Sequence, residues 1–282
     1  MARGIRNWTE KLIAQRIREG YGEGEGAAYK PWIRTADFSS LGRTTRMYSA
    51  KFARTLELVS DVEIRTFLML EWANDITQVY EQLPLEREQI LQIAAALGIR
   101  HPCYPGTTVP AVMTVDFLAV HGNLVDAKLQ AFDCKRLEDA KDPTTREKLQ
   151  ITRAYFAGRD IAHRLVFSSK LPMQKVENIE WARGGVIKQD EINPTPSYLR
   201  EKAASTTHEL AHSTCTAALN EYCRTFDERH GLRSGFGMRL ARHLIWEHTL
   251  VCDIDTPRLE SAPLSSFRVA QSGELLLQAS GA

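Results

Sequence analysis

The sequence predicts an α/β fold: a mixed β-sheet flanked by helices, followed by a smaller helical domain of winged-helix-like form. Three observations carry this expectation. Between residues 60 and 182, apolar residues recur at helical spacing in some stretches and gather in short β-branched and aromatic runs in others. With one extra helix set aside, these stretches follow the order αβββαβ, which suits a mixed sheet covered by helices. Beyond residue 197 the pattern changes to three helices and then short strands.

Bulk properties limit the alternatives. A chain of 282 residues suits two compact domains, and 43% hydrophobic with 25% charged residues is ordinary for a globular protein. No run of eighteen apolar residues occurs, so no membrane span is expected. The opening MARGIRNWTEK lacks the apolar core of a secretory signal. Five cysteines, an odd number without a C-x-x-C pair, argue against a disulfide framework or a cysteine zinc site. A reducing cytoplasm is the expected compartment. The net charge of +1 neither indicates nor excludes nucleic acid, but its distribution is uneven. Residues 1–54 carry eleven Lys/Arg against five Asp/Glu, a balance of +6, and residues 55–116 carry three against nine, a balance of −6. A basic arm beside an acidic segment suits phosphate binding next to a cation-loaded carboxylate site, and equally suits solvated surface charge.

Trp8 to Arg18 has helical spacing, and Gly20, Gly22, Gly24 and Gly26 end it. These glycines lack the preceding strand and following helix of a nucleotide loop, so they read as a flexible link. Residues 29–57 are mixed, with Arg43, Arg46, Lys51 and Arg54 among short extended pieces. Ser60-Asp61-Val62-Glu63 has the form of a capping box opening a helix, with Ile64, Phe67, Leu68 and Trp72 as its buried stripe. Ile76 to Glu81 reads as a strand and Arg87 to Leu97 as a helix stopped by Gly98. Val112–Val120 and Lys128–Cys134 read as a hairpin turning near His121-Gly122-Asn123. Asp142-Pro143 opens a helix ending at Gly158, followed by a strand at 162–167 and a short helix at 174–182. Residues 183–197 form a plausible linker, dividing the chain into domains at 1–182 and 183–282. In the second domain, helices are expected at Tyr198–Ala204, Thr206–Arg229 and Gly237–Trp246, with strands at 250–254, 267–270 and 274–277.

The chemistry concentrates between Met113 and Arg136. A hairpin turn centred between residues 124 and 125 sets Asp116 opposite Asp133. Strand side chains alternate, so Asp133 and Lys135 share a face and Cys134 points to the other. Two carboxylates and an ammonium at one place suit a divalent cation, with hard oxygen ligands of the kind Mg²⁺ prefers. Such a cation is what phosphodiester hydrolysis requires, and Lys135 is placed to neutralise transition-state charge. The same residues also read as strand-end acids with Lys135 in a surface salt bridge. Glu63 is open to two readings, a capping-box residue or a third carboxylate aimed at the cluster.

A second motif competes. His208-Glu209-Leu210-Ala211-His212 is H-E-x-x-H on an expected helix, the signature of a zinc peptidase. The extended form fails, because Cys215 stands where Gly is wanted and Ala218 where a third His belongs. A non-catalytic DNA- or protein-binding adaptor is the third reading.

The segments IAQRIREGYGEGEG (13–26), YKPWI (29–33), GRTTRMYS (42–49), LVSDVE (58–63), FLMLEW (67–72), YEQLPL (80–85), IRHP (99–102), MTVDFL (113–118) and VENIEW (176–181) decide among these. In order and spacing, over roughly residues 8–182, the chain resembles the TnsA endonuclease family of heteromeric bacterial transposons. The resemblance implies a restriction-endonuclease-like catalytic domain with a basic N-terminal arm, and a winged-helix-like partner-binding domain. It implies a Mg²⁺-dependent nuclease, with Mn²⁺ as a substitute, that nicks the 5′ ends of a transposon. A DDE-type partner, TnsB, would process the 3′ ends, and an AAA+ regulator, TnsC, would bind the C-terminal region. Carried over to this chain, Glu63, Asp116 and Lys135 fall on catalytic positions. Asp133 stands where family members can carry Gln. The expected metal ligands are Glu63, Asp116, Asp133 and the Cys134 carbonyl, with Lys135 as the catalytic ammonium. Arg43, Arg46 and Lys51 are the DNA-contact candidates.

Overall fold

A computed structural model describes residues 8–37, 43–122, 126–188, 191, 198–211 and 216–270. The chain divides into two compact units, one ending at Leu171 and the other beginning at Pro172. Among the described residues, no helix is long and apolar enough to cross a membrane.

In the first unit, α1 (Glu10–Arg18) is capped by the Thr9 hydroxyl, which accepts from the Leu12 amide. Strands β1 (Thr45–Ser49) and β2 (Arg54–Leu58) form an antiparallel hairpin. Helix α2 spans Asp61–Trp72, β3 Ile76–Pro84 and α3 Arg87–Ala96. After them come β4 (Thr114–His121), β5 (Lys128–Lys135), α4 (Pro143–Ala157) and β6 (Ala162–Phe167). The main sheet has the order β3-β4-β5-β6. Its first three strands are antiparallel, and β6 joins parallel to β5. A parallel neighbour cannot be reached by a tight turn, so α4 supplies the crossover. The sheet is therefore mixed, as expected.

Helices cover both faces because the strands are apolar on both. Phe67 of α2 stacks on Phe117 of β4 at 6.5 Å between ring centres, and the Cys134 thiol of β5 lies 3.4 Å from the Thr66 hydroxyl. Ile90 and Ala94 of α3 and Ile151, Tyr155 and Phe156 of α4 form another buried cluster with Ala131.

The glycine-rich segment corrects the expectation of a flexible link. Gly22 donates to the Lys30 carbonyl at 2.6 Å and Lys30 donates back to Glu23 at 3.1 Å, closing a tight loop. Gly22 has φ +85°, and a Cβ there would collide with the Pro84 ring. These glycines permit a left-handed turn packed against the end of β3. Spacing alone cannot distinguish that use from flexibility.

The second unit contains α5 (Met173–Arg183), α6 (Tyr198–Ala211), α7 (Leu219–Arg229) and α8 (Phe236–Trp246). Strands β7 (Leu250–Cys252) and β8 (Phe267–Val269) form an antiparallel ribbon. Helix α5 belongs here rather than with the first domain, because the Asn178 amide donates to the carbonyls of Ile254 (2.7 Å) and Thr256 (2.9 Å). The single long helix expected over Thr206–Arg229 is not formed: α6 ends at Ala211 and α7 starts at Leu219. Leu219 donates to Ala262 and Leu264 donates to Ala217, both at 2.9 Å, so a distant segment takes the backbone groups that a continuous helix would use. The expected strand at 274–277 lies outside the described residues.

A carboxylate and lysine cluster as candidate active site

The register of the hairpin brings the cluster together. Phe117 pairs with Phe132 and His121 with Lys128, which is the register expected from a turn centred between 124 and 125. Continuing it by one residue places Asp116 beside Asp133. Asp116 Oδ2 accepts from the Lys135 ammonium at 2.8 Å and from the Cys134 amide at 2.7 Å. The same ammonium donates to the Cys134 carbonyl at 3.1 Å and stands 3.7 Å from Asp133 Oδ1. Lys135 is thus surrounded by the oxygen atoms of three groups, all hard ligands of the type a divalent cation takes.

Glu63 reaches the cluster from the first turn of α2. Ser60 is the N-cap, its hydroxyl accepting from the Glu63 amide at 3.2 Å. Glu63 Oε1 accepts back from that hydroxyl at 2.8 Å, and Oε2 accepts from the Val59 amide at 3.1 Å. Ser60 caps the helix and Glu63 bonds back to it and to Val59, yet the carboxylate also faces Asp116. The Gln82 amide nitrogen lies between them, 3.3 Å from Glu63 Oε2 and 3.3 Å from Asp116 Oδ1. The two readings of Glu63 are therefore compatible.

The electrostatics follow from burial. Glu63 and Asp116 are 3% and 8% exposed, which penalises their charged forms. Burial, reinforced by the Asp116 charge, pushes Glu63 up to about 8, although the Val59 amide and Ser60 hydroxyl oppose the rise. Burial also raises Asp116, with Asp133 adding to the rise and Lys135 opposing it. For Lys135 burial disfavours the charge, but Asp116 and Asp133 outweigh it and the pKa lies above the usual lysine range. The ammonium stays protonated and cannot serve as a general base in this state.

Asp133 is held differently from its sequence expectation as a simple ligand. Its Oδ2 lies 2.9 Å from His163 Nε2, and His163 stacks on Phe156 at 5.7 Å. Among the described residues no three Asp, Glu, His or Cys side chains converge closely enough to hold a metal by themselves. The fit to a divalent cation rests on Glu63, Asp116 and the Cys134 carbonyl: buried carboxylates whose charge is only partly compensated, beside a cation that already sits among oxygens. Gln82 and His163 escaped the sequence reading. Gln82 lies in the YEQLPL segment, but nothing local marks it or His163 as part of the site, and only the pairing of β3 to β4 and of β5 to β6 brings them in.

The basic candidates separate. Arg43 and Arg46 are exposed, and Arg46 approaches Glu57 at 3.3 Å. Lys51 instead turns its ammonium onto the carbonyls of Glu71, at 3.0 Å, and Ala73. These are C-terminal carbonyls of α2, where the helix dipole favours a cation. Desolvation there lowers Lys51 to about 8 despite the nearby acids Glu71 and Asp75.

The H-E-x-x-H motif falls at the end of α6, with His212 outside the described residues. Glu209, the expected general base, is engaged by the Arg229 guanidinium at 2.6 Å, His230 at 3.0 Å and the Tyr222 hydroxyl at 3.2 Å. That is the setting of a structural ion pair joining α6 to α7.

Comparison with known proteins points to an endonuclease family rather than to a peptidase. Residues 73–168 match the family described as TnsA-like endonuclease N terminal, and residues 171–254 match TnsA endonuclease C terminal. Over 198 residues the chain is 35% identical to the transposon Tn7 transposition protein TnsA of Escherichia coli, covering 68% of this chain and 69% of that protein. The chain belongs to the TnsA endonuclease family. Within this TnsA-family chain the two family matches meet near the division between the two compact units.

Proposed function

We propose that the protein is the metal-dependent DNA endonuclease subunit of a heteromeric transposase, hydrolysing phosphodiesters at the 5′ ends of its transposon. The observation that carries this reading is the Lys135 ammonium beside Asp116, Asp133 and the Cys134 carbonyl, with Glu63 adjoining through Gln82. Family membership supports the reaction class.

Glu63, Asp116 and the Cys134 carbonyl would hold a divalent cation, Mg²⁺ or in its place Mn²⁺, with Asp133 contributing charge and, when turned from His163, a ligand oxygen. When bound, such a cation supplies Lewis acidity toward a phosphodiester oxygen and lowers the pKa of attached water. The protein's own residues do the rest. Glu63 and Asp116 fix the position of the negative charge, from a helix start and a strand that are both buried. Lys135 remains protonated, donates to the reacting oxygens and offsets the charge that accumulates in the transition state. Arg43 and Arg46 lie exposed on the first unit and are the DNA-backbone candidates, whereas Lys51 is better explained by its helix. The second unit, whose described residues form four α-helices and a two-stranded ribbon, is the proposed winged-helix-like partner-binding domain, with a DDE-type transposase (TnsB) and an AAA+ regulator (TnsC) as partners.

The test is strand-specific nicking of transposon-end DNA, with the partner proteins and Mg²⁺ present. Wild-type protein should nick the 5′ ends, and Asp116→Ala and Lys135→Ala should assemble normally but leave the DNA intact. Normal nicking by either variant would sink the site assignment.

A further inference from the structure

Gln82 is 2% exposed and adopts φ +48°, a left-handed backbone that a residue with a side chain rarely takes. Glu81 pairs with Phe117 and Leu83 with Val115 in one register, but Gln82 itself is not paired across to Asp116. The left-handed conformation therefore falls where the β3–β4 ladder is interrupted while its register is kept. Strain of this kind persists only where the surroundings over-determine it, and such residues cluster at functional sites. Here the surroundings are visible. The Gln82 carbonyl accepts from the Trp32 amide at 3.2 Å. Two residues on, Pro84 is packed by the glycine loop at Gly22.

The side chain uses this conformation to enter the acid cluster. Its Oε1 accepts from the Thr114 hydroxyl at 3.0 Å, and its Nε2 donates to Glu63 Oε2 and Asp116 Oδ1, each at 3.3 Å. The amide has to present nitrogen to this side, because an oxygen there would oppose two carboxylates. Each carboxylate has about four acceptor positions. Three contacts engage Glu63, from Ser60, Val59 and Gln82, and three engage Asp116, from Gln82, Cys134 and Lys135. Each carboxylate keeps acceptor capacity for one further ligand.

We propose that Gln82 is a positioning residue: its neutral amide fixes the spacing and orientation of Glu63 and Asp116 while leaving their negative charge available to a divalent cation. The inference rests on the metal-site reading above and deepens it. A Lys at this position would itself neutralise the acids, and a Glu would add a third charge beside them. An amide of this reach does neither, and the left-handed backbone delivers it.

Two variants of the full-length protein test this. Gln82→Met keeps length and volume but removes both donors, and Gln82→Gly removes the side chain while suiting the positive φ, so it should fold even if Gln82→Met does not. Mn²⁺ is the probe. Its binding is followed by electron paramagnetic resonance, and the Mn²⁺ dependence of end nicking is measured with the partner proteins. Loss of an outer partner of a metal ligand raises the half-saturating metal concentration about ten- to a hundredfold. That shift is expected in both measurements for each folded variant, together with partial recovery of nicking at high Mn²⁺. Unchanged half-saturation in Gln82→Gly overturns the inference, even if nicking falls, because a purely structural role would lower activity without moving metal affinity. Asp116→Ala separates the two levels. If it binds Mn²⁺ and nicks like wild type, the metal-site reading fails. If it loses both while Gln82→Gly keeps wild-type affinity, only the role of Gln82 fails.

Discussion

Glu81 and Gln82 are adjacent on β3, and the acid clusters to which they belong balance their charge in different ways. Glu81 is fully buried and meets Arg54 through two parallel bonds, 2.9 Å to Oε1 and 2.6 Å to Oε2, with the Glu57 amide adding a third at 3.2 Å. One carboxylate faces one guanidinium in the planar geometry that suits them both. On the other side, Glu63, Asp116 and Asp133 gather around one lysine, with a neutral amide between the first two. The first cluster pairs one negative with one positive charge, although the buried Arg54 Nε has no hydrogen-bond partner among the described residues. The second has three acids to one lysine, and burial raises Glu63 and Asp116; that excess is unfavourable for a structural element and useful for a cation site, where a bound cation would stabilise the charged forms. Burial alone therefore does not mark a functional acid; unbalanced burial does.

The strongest way to break this contrast is to remove one group from each cluster. Asp116→Ala or Lys135→Ala should reduce end nicking on the order of a thousandfold or more. Arg54→Ala should leave nicking chemistry without a direct defect but strand the Glu81 charge, costing about 3–5 kcal/mol of stability by chemical denaturation. If Arg54→Ala is as stable as wild type, the Arg54–Glu81 pair is not a structural ion pair.

A pH titration sharpens the comparison at intermediate size. In the metal-free fold Glu63 holds its proton up to about pH 8, against an ordinary value of 4.5. The folded state therefore binds the proton more tightly than the unfolded state. The resulting stability is fully present below about pH 4.5 and is lost as pH rises toward 8. Unfolding in EDTA should show this decline, and Glu63→Gln should flatten it. An equally steep decline in Glu63→Gln would assign the effect elsewhere.

The smallest effects concern the basic side chains. Lys51→Ala should cost about 0.3–1 kcal/mol of stability, the usual size of a cation at a helix C-terminus, and leave DNA affinity unchanged. Arg46→Ala should alter stability only slightly, since Arg46 is itself exposed and its buried partner Glu57 keeps the Thr35 amide and hydroxyl. It should weaken DNA binding and reduce the salt dependence by about one phosphate contact. A change in the salt dependence with Lys51→Ala would reverse that assignment.

The legible part of the site was the part written in one hairpin and one helix start. Alternation put Asp133 and Lys135 on one side of β5, hairpin arithmetic put Asp116 next to them, and the capping box placed Glu63 at the start of α2. Gln82 and His163 were not legible, because their roles depend on which strands become neighbours and on one left-handed residue. The same limit explains the split of the expected 206–229 helix. Its periodicity was adequate, but Ala217 and Leu219 bond to the 262–264 segment instead.

By itself, then, the sequence determined the order of strands and helices, the register of β4 against β5 and the acids and lysine that meet there. All of these follow from local spacing, since side-chain period and turn position act over a few residues. Tertiary structure alone decided how those charges are held: Asp133 against His163, Lys51 against a helix end, and Glu63 and Asp116 spaced by the amide of Gln82. The reason is physical. A side chain's partner and solvation are set by whatever packs beside it, and in this protein those neighbours lie 19 to 34 residues away along the chain.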